Sequence, residues 1–128
     1  MSKPIKSLLV ICALAAAGIA SAQEQVVNLY SARHYPTDEA LYSGFTKATG
    51  IKIQRVDSDD AGIMARLKAE GSASPADVIL LVDAARLYRG EADGLFLPVR
   101  SKVLEDAIPA NLRATPTADG GIPWFGLS

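Results

Sequence analysis

The two residues of this chain best suited to binding a ligand are adjacent, His34 and Tyr35. An imidazole nitrogen and a phenolate oxygen both donate to metal ions, and the phenolate is a hard anionic donor suited to a hard, highly charged ion such as Fe(III). Two protein donors do not complete an octahedral shell, so further donors would have to come from elsewhere. A surface turn with a packed tyrosine is the competing interpretation, because both residue types are commonly half-buried without binding a ligand. The dipeptide alone leaves both open.

The segments around this dipeptide alternate between strand and helix. β-Branched and aromatic residues predict a first strand, Pro36 and Asp38 supply helix start signals, and the apolar run after Asp77 is typical of a strand buried on both faces. The predicted elements are strands at 26–30, 51–56, 77–82 and 123–128, helices at 38–49, from the turn 57–60 to Gly71 and from Asp83 to about Gly94, a helical turn at 101–107 and a loop at 109–121.

This order predicts an α/β fold with a largely parallel sheet and flanking helices, since parallel strands need crossovers of this length. Ligands of open α/β sheets bind beyond the carboxyl ends of the strands. His34 with Tyr35, the acidic turn 57–60 and Asp83 each follow a strand, so we expect all three to lie along one edge. Asp83 is also expected to cap a helix, and from this edge it could hydrogen-bond a side chain that binds the ligand.

Residues 1–22 have the pattern of a secretory signal peptide, with Lys3 and Lys6, an apolar run at 8–17 and small residues before a cleavage site near Ala22. The run is shorter than the ~20 residues of a spanning helix and no second run follows, so we expect no membrane span in the mature chain. Loss of the two lysines leaves 11 of 13 basic side chains against 14 acidic ones, a formal charge of −3. This balance gives no basis for nucleic acid as a partner.

Signatures of catalysis are weak. The single cysteine, Cys12, lies in the predicted signal peptide, so the mature chain has no disulfide, thiolate metal site or cysteine nucleophile. The glycines form no phosphate-binding pattern after a strand, and no Gly-x-Ser-x-Gly elbow accompanies the single histidine. We therefore do not expect an enzyme.

Six phrases of the mature chain carry a family resemblance. They lie at 27–35, 45–53, 74–80, 82–87, 93–96 and 124–128. Together they resemble the periplasmic ferric-iron-binding proteins of ABC transporters, and most of all the iron uptake branch common in cyanobacteria and other bacteria. The resemblance covers nearly all of residues 25–128.

The resemblance implies a fold, a ligand and partners. The family has a two-lobed, class II periplasmic solute-binding fold, of which residues 23–128 would form part of the N-terminal lobe. The implied ligand is Fe(III), captured in the periplasm and passed to an inner-membrane ABC permease. Tyr35 falls on the family's first tyrosine ligand, and His34 on a histidine that binds iron in some members and lines the cleft in others. Asp83 matches a glutamate ligand of another branch but is shorter, so we expect it, like Arg33, only to line the cleft or support a ligand.

The family's remaining tyrosine ligands, which include an adjacent pair, lie beyond Ser128, and we expect this chain to be part of a longer protein. Two alternatives stay open. One is a carrier for a non-metal solute, in which His34 and Tyr35 only shape the cleft. The other is a fragment without transport function that acts through protein interaction, its unpaired sheet edge pairing with a partner.

Overall fold

The computed structural model describes residues 24–126, which form a three-stranded sheet with flanking helices. The elements are β1 (Val26–Ser31), α1 (Pro36–Thr49), β2 (Lys52–Asp57), α2 (Asp60–Glu70), β3 (Val78–Leu80), α3 (Ala84–Ala92) and α4 (Lys102–Ala107), with 3-10 turns at Gly71–Ala73 and Ala110–Leu112. The predicted signal peptide lies outside the described residues. Among the helices of residues 24–126, none is long and apolar enough to cross a membrane.

The sheet is parallel throughout, with strand order β2-β1-β3, which confirms the predicted fold class. Ser31 at the end of β1 stands opposite Asp57 of β2 and Leu80 of β3, so all three strands end at one edge. Two backbone bonds continue past the strand ends, from Ala32 N to Leu80 O (2.8 Å) and from Ser58 N to Ser31 O (3.1 Å). The segments that follow the strands therefore share this edge, as predicted.

Helix α1 begins at Pro36, two residues earlier than predicted. Proline suits the first helical position because it has no N–H to leave unpaired, and it keeps the preceding Tyr35 extended (φ −88°, ψ 131°). Gly50 ends the helix in the left-handed region (φ 74°) and donates its N–H to Thr46 O. The periodic apolar residue Leu41 of α1 is 67% exposed, so the pattern located the helix correctly although that residue does not enter the core.

Helix α2 supplies half of the main buried cluster, which consists of Tyr30, Ala32, Ile63 and Leu67. Asp59 caps it by accepting a bond from Gly62 N (2.7 Å), and its predicted inner residues Ile63, Met64 and Leu67 are all buried. Ile63 and Leu67 pack in one cluster with Tyr30 of β1, which is 1% exposed. This cluster therefore lies between α2 and one face of the sheet.

The Tyr30 hydroxyl is part of a polar network that joins the core to the end of α2. It donates to both carboxylate oxygens of Glu70 (2.9 Å each), which also accept from Ser74 Oγ (2.7 Å) and Arg66 Nε (2.7 Å). The guanidinium of Arg66 lies 5.0 Å above the Tyr30 ring. These bonds, that from Ser74 above all, hold the pKa of Glu70 below its usual value.

The prediction that the third strand is buried on both faces was wrong. The strand is short, and while Ile79 and Leu81 pack on the core with Tyr30, Val78 and Val82 are 43% and 52% exposed. Alternate side chains of a strand point to opposite faces. Helix α2 covers one face here, and within residues 24–126 the other face of β3 is not covered to the same extent.

The predicted strand at 123–128 was also wrong over its described part, while the helical turn at 101–107 is confirmed as α4, capped by Ser101. Phe125 forms only an isolated bridge with Arg113, and residues 127–128 lie outside the described range. Pro123 has no N–H for a strand ladder, which limits regular pairing. Backbone bonds from Ala114 N to Trp124 O (3.1 Å) and from Gly126 N to Leu112 O (2.6 Å) hold this segment, and Trp124 Nε1 donates to Glu91 Oε2 of α3 (2.7 Å).

Candidate metal-binding site

His34 and Tyr35 lie in the short connection between β1 and α1, at the carboxyl edge of the sheet. The buried Ser31 begins this connection, and its hydroxyl accepts a bond from Arg33 N (3.0 Å) and donates to Arg33 O (3.2 Å). At the other end, Tyr35 O accepts from Asp38 N (3.0 Å), and Pro36 restricts the Tyr35 backbone. The backbone of the dipeptide is therefore fixed from both sides.

The side chains of His34 and Tyr35 are exposed, and both line an open cavity of about 190 Å³. The lining residues are Arg33, His34, Tyr35, Pro36, Asp38, Glu39, Tyr42 and Arg55. Three of the four residues singled out from the sequence thus meet here. The fourth, Asp83, is not among them; it caps α3 as predicted, accepting from Arg86 N (2.8 Å), and any part in the site stays a prediction.

Arg33 forms a two-point ion pair with Asp38, the one buried residue of α1. Its Nη2 lies 3.1 Å from Asp38 Oδ1 and its Nε lies 3.2 Å from Oδ2. The hydrogen bond to Asp38 raises the pKa of Arg33 above its ordinary value. The same guanidinium lies 5.1 Å above the ring of Tyr35, within the range of a cation–π contact.

Arg55 of β2 also forms part of the cavity wall. It pairs with Asp57 (Nη2 to Oδ2, 2.8 Å) and with Glu39 of α1, and these bonds raise its pKa, that to Asp57 most. Its guanidinium lies 5.2 Å from the centre of the Tyr42 ring. The Tyr42 hydroxyl is buried and has no hydrogen-bond partner among the residues described.

The arrangement offers a phenol and an imidazole to solvent while both neighbouring guanidinium groups are neutralised by carboxylates. Across residues 24–126, no three His, Cys, Asp or Glu side chains cluster in a way that could hold a metal ion. Tyr35 and His34 line the cavity with their side chains exposed, and their part as metal ligands stays a prediction. A hard cation with octahedral coordination would need more donors than these two side chains.

Sequence reasoning missed Asp38 as an ion-pair partner, and it missed Tyr42 and Arg55 altogether. The position of Asp38 two residues after Pro36 predicts a helix start, and an acid five residues after Arg33, across a proline turn, is also placed to pair with that arginine. Tyr42 lies seven residues after Tyr35 along the helix that starts at Pro36, which puts the two near the same side of α1. Arg55 left no comparable sequence signal, because its position depends on how β2 pairs with β1.

Comparison with known proteins gives strong matches to single proteins, although no family model matches the sequence. Iron uptake protein A1 of Synechocystis is 48% identical over 106 residues, which are 83% of this chain and 28% of that protein. The structure of Trichodesmium FutA in complex with iron and citrate superposes with a TM-score of 0.71 at 46% identity, covering 80% of this chain and 31% of that one. The homologues of this chain are ferric-iron-binding proteins. The resemblance inferred from sequence phrases is confirmed.

Other ferric-iron-binding proteins agree. Apo FutA2 of Synechocystis has a TM-score of 0.66 at 41% identity over 81% of this chain and 30% of that one. The major ferric iron-binding protein of Neisseria gonorrhoeae is 30% identical over 128 residues, the whole of this chain and 37% of that protein. These names describe iron-uptake and iron-binding proteins, not enzymes. The chain spans between 28% and 37% of the length of these relatives.

Proposed function

We propose that this chain supplies part of the Fe(III) site of an exported protein that captures ferric iron for an ABC importer. One observation carries the proposal. The exposed Tyr35 and His34 line a cavity at the carboxyl edge of the sheet, in a chain 46% identical to a FutA whose structure contains iron and citrate. Tyr35 is the phenolate ligand, and His34 is a conditional ligand or a wall of the cleft.

The proposed chemistry is binding and release, without catalysis. A free phenol has a pKa of about 10, so the charge of Fe(III) must drive loss of the proton when iron binds. Protons then compete with the metal, and acid favours release. The other ligands come from parts of the protein outside residues 24–126.

The remaining parts of the proposal concern location and partners. Residues 1–22 are removed as a signal peptide near Ala22, and residues 23–128 form part of the N-terminal lobe of a class II periplasmic solute-binding protein. The partners are the ferric ion and an inner-membrane ABC permease. The relatives named periplasmic or iron-uptake proteins support this placement. Sequencing the amino terminus of the exported protein tests it, with a start at Gln23 expected.

The iron site is tested by titrating ferric citrate into the mature protein that carries this sequence and following the visible tyrosinate-to-iron absorption. Tyr35→Phe should remove or strongly weaken the band, and His34→Ala should have a smaller effect. Tyr88→Phe is the matched control, because Tyr88 is an exposed tyrosine (69%) that does not line the cavity. A band that survives Tyr35→Phe unchanged, or no band in the parent protein, would refute the assignment.

A further inference from the structure

We propose that Arg33 and Asp38 are positioning residues that hold the ring of Tyr35 at the cavity beside His34. Tyr35 is 56% exposed, so burial alone fixes its ring weakly. The guanidinium of Arg33, 5.1 Å from the ring centre, is a contact that can select one ring orientation. The consequence for iron rests on the function proposed above, whereas the ordering of the ring does not.

The ion pair gives the guanidinium a defined plane. Both oxygens of Asp38 are engaged, by Nη2 at 3.1 Å and by Nε at 3.2 Å, and two parallel bonds fix the orientation of the fork as well as its position. The Asp38 side chain is only 12% exposed, so it is largely held in place by its surroundings. A lysine at position 33 would keep the charge but lose this planar, two-point contact.

Each partner is anchored to a different element. Arg33 is held by the hydroxyl of Ser31, which bonds both its N–H and its carbonyl at the end of β1. Asp38 lies in the first turn of α1, where the exposed peptide N–H groups favour a carboxylate. The pair therefore spans the bend that contains His34 and Tyr35, and links the ring of Tyr35 to the central strand and the helix together.

A carboxylate-paired arginine also lies over a tyrosine ring at Arg55 with Tyr42 and at Arg66 with Tyr30, and the second of these provides an internal control. Arg66 pairs with Glu70 (Nε to Oε1, 2.7 Å) and lies 5.0 Å from the centre of the Tyr30 ring. There the tyrosine is 1% exposed and its hydroxyl is bonded to Glu70, so packing and hydrogen bonds hold it without help from the arginine. Loss of the guanidinium should disorder the ring only where the tyrosine is exposed.

The test uses the mature protein that carries this sequence, with 3-fluorotyrosine placed at position 35. The variants are Arg33→Gln and Asp38→Asn, with Arg33→Lys as the conservative change and Arg66→Gln as the matched control. We expect the fluorine resonance of Arg33→Gln and Asp38→Asn to move toward that of free fluorotyrosine in the metal-free protein. Fe(III) affinity should fall on the order of tenfold, the usual effect of losing a group that orients a metal ligand.

Arg33→Lys should give an intermediate shift, and Arg66→Gln should lower Tm while leaving the resonance and the iron affinity unchanged. The proposal is overturned if Arg33→Gln and Asp38→Asn lower Tm but leave the resonance where it was, since the pair would then be merely structural. If Asp38→Asn does not fold, the fluorine resonances of Arg33→Gln and Arg33→Lys test the proposal. A parent protein without a Tyr35-dependent iron band would refute the proposed function, and the fluorine shift in the metal-free protein would still decide this proposal.

Discussion

Replacing Tyr42 with phenylalanine should stabilise the protein. The Tyr42 hydroxyl is buried without a hydrogen-bond partner in the described part of the chain, and a buried unpaired hydroxyl costs about 1–3 kcal/mol relative to its hydration in water. Phenylalanine keeps the ring that faces Arg55 at 5.2 Å and removes only the oxygen. We expect the free energy of unfolding to rise by about 1 kcal/mol, or Tm by about 4–8 °C for a domain of this size.

Urea unfolding followed by circular dichroism measures this change, and Tyr30→Phe is the matched comparison. Both substitutions delete one phenolic hydroxyl, but that of Tyr30 donates to both oxygens of Glu70 at 2.9 Å. Tyr30→Phe should therefore destabilise the protein while Tyr42→Phe stabilises it. If Tyr42→Phe lowers stability by as much as Tyr30→Phe, the hydroxyl has a partner and the reasoning fails.

Two further predictions concern the core and its polar network. Because hydrogen bonds, that from Ser74 first, lower the pKa of Glu70 in the folded state, this group stabilises the fold above its unfolded pKa. That contribution is lost as pH falls through the lower, folded pKa. Urea unfolding between pH 7 and pH 3 should therefore show a decrease in the free energy of unfolding that is smaller in Glu70→Gln. An equal dependence of that free energy on pH in the two proteins would contradict this. Ile63 is fully buried, so Ile63→Ala should lower the free energy of unfolding by about 2–5 kcal/mol. Leu97 is 88% exposed, so Leu97→Ala should change it by no more than about 0.5 kcal/mol in the same assay.

Features that depend on neighbouring residues were predictable from the sequence. Gly50 ends α1 in the left-handed conformation that glycine adopts freely, and Asp59 and Asp83 cap the helices that follow them. The alternation of strands and helices predicts the parallel sheet, and the parallel sheet predicts the edge on which His34 and Tyr35 lie. Each step used information contained within a few residues of the chain.

Features that depend on distant elements were not predictable in this way. Val78 and Val82 were expected to be buried because their run is apolar, but burial is decided by what covers each face of the sheet. The wall formed by Arg55 depends on the register of β2 against β1, which no local pattern specifies. The ion pair of Arg33 with Asp38 lies between these cases, since the two residues are close in sequence but meet only because the chain bends at Pro36.

The central place of β1 has a consequence for how the candidate site would be lost on heating. Ser31 and Ala32 are bonded to the segments on either side of β1, through Ser58 N and Leu80 O. Amide groups on the central strand of a sheet exchange with solvent mainly when the whole cooperative unit opens. The Ala32 amide, two residues before His34, should thus share the protection of the sheet, and the base of the candidate site should persist up to the global unfolding transition.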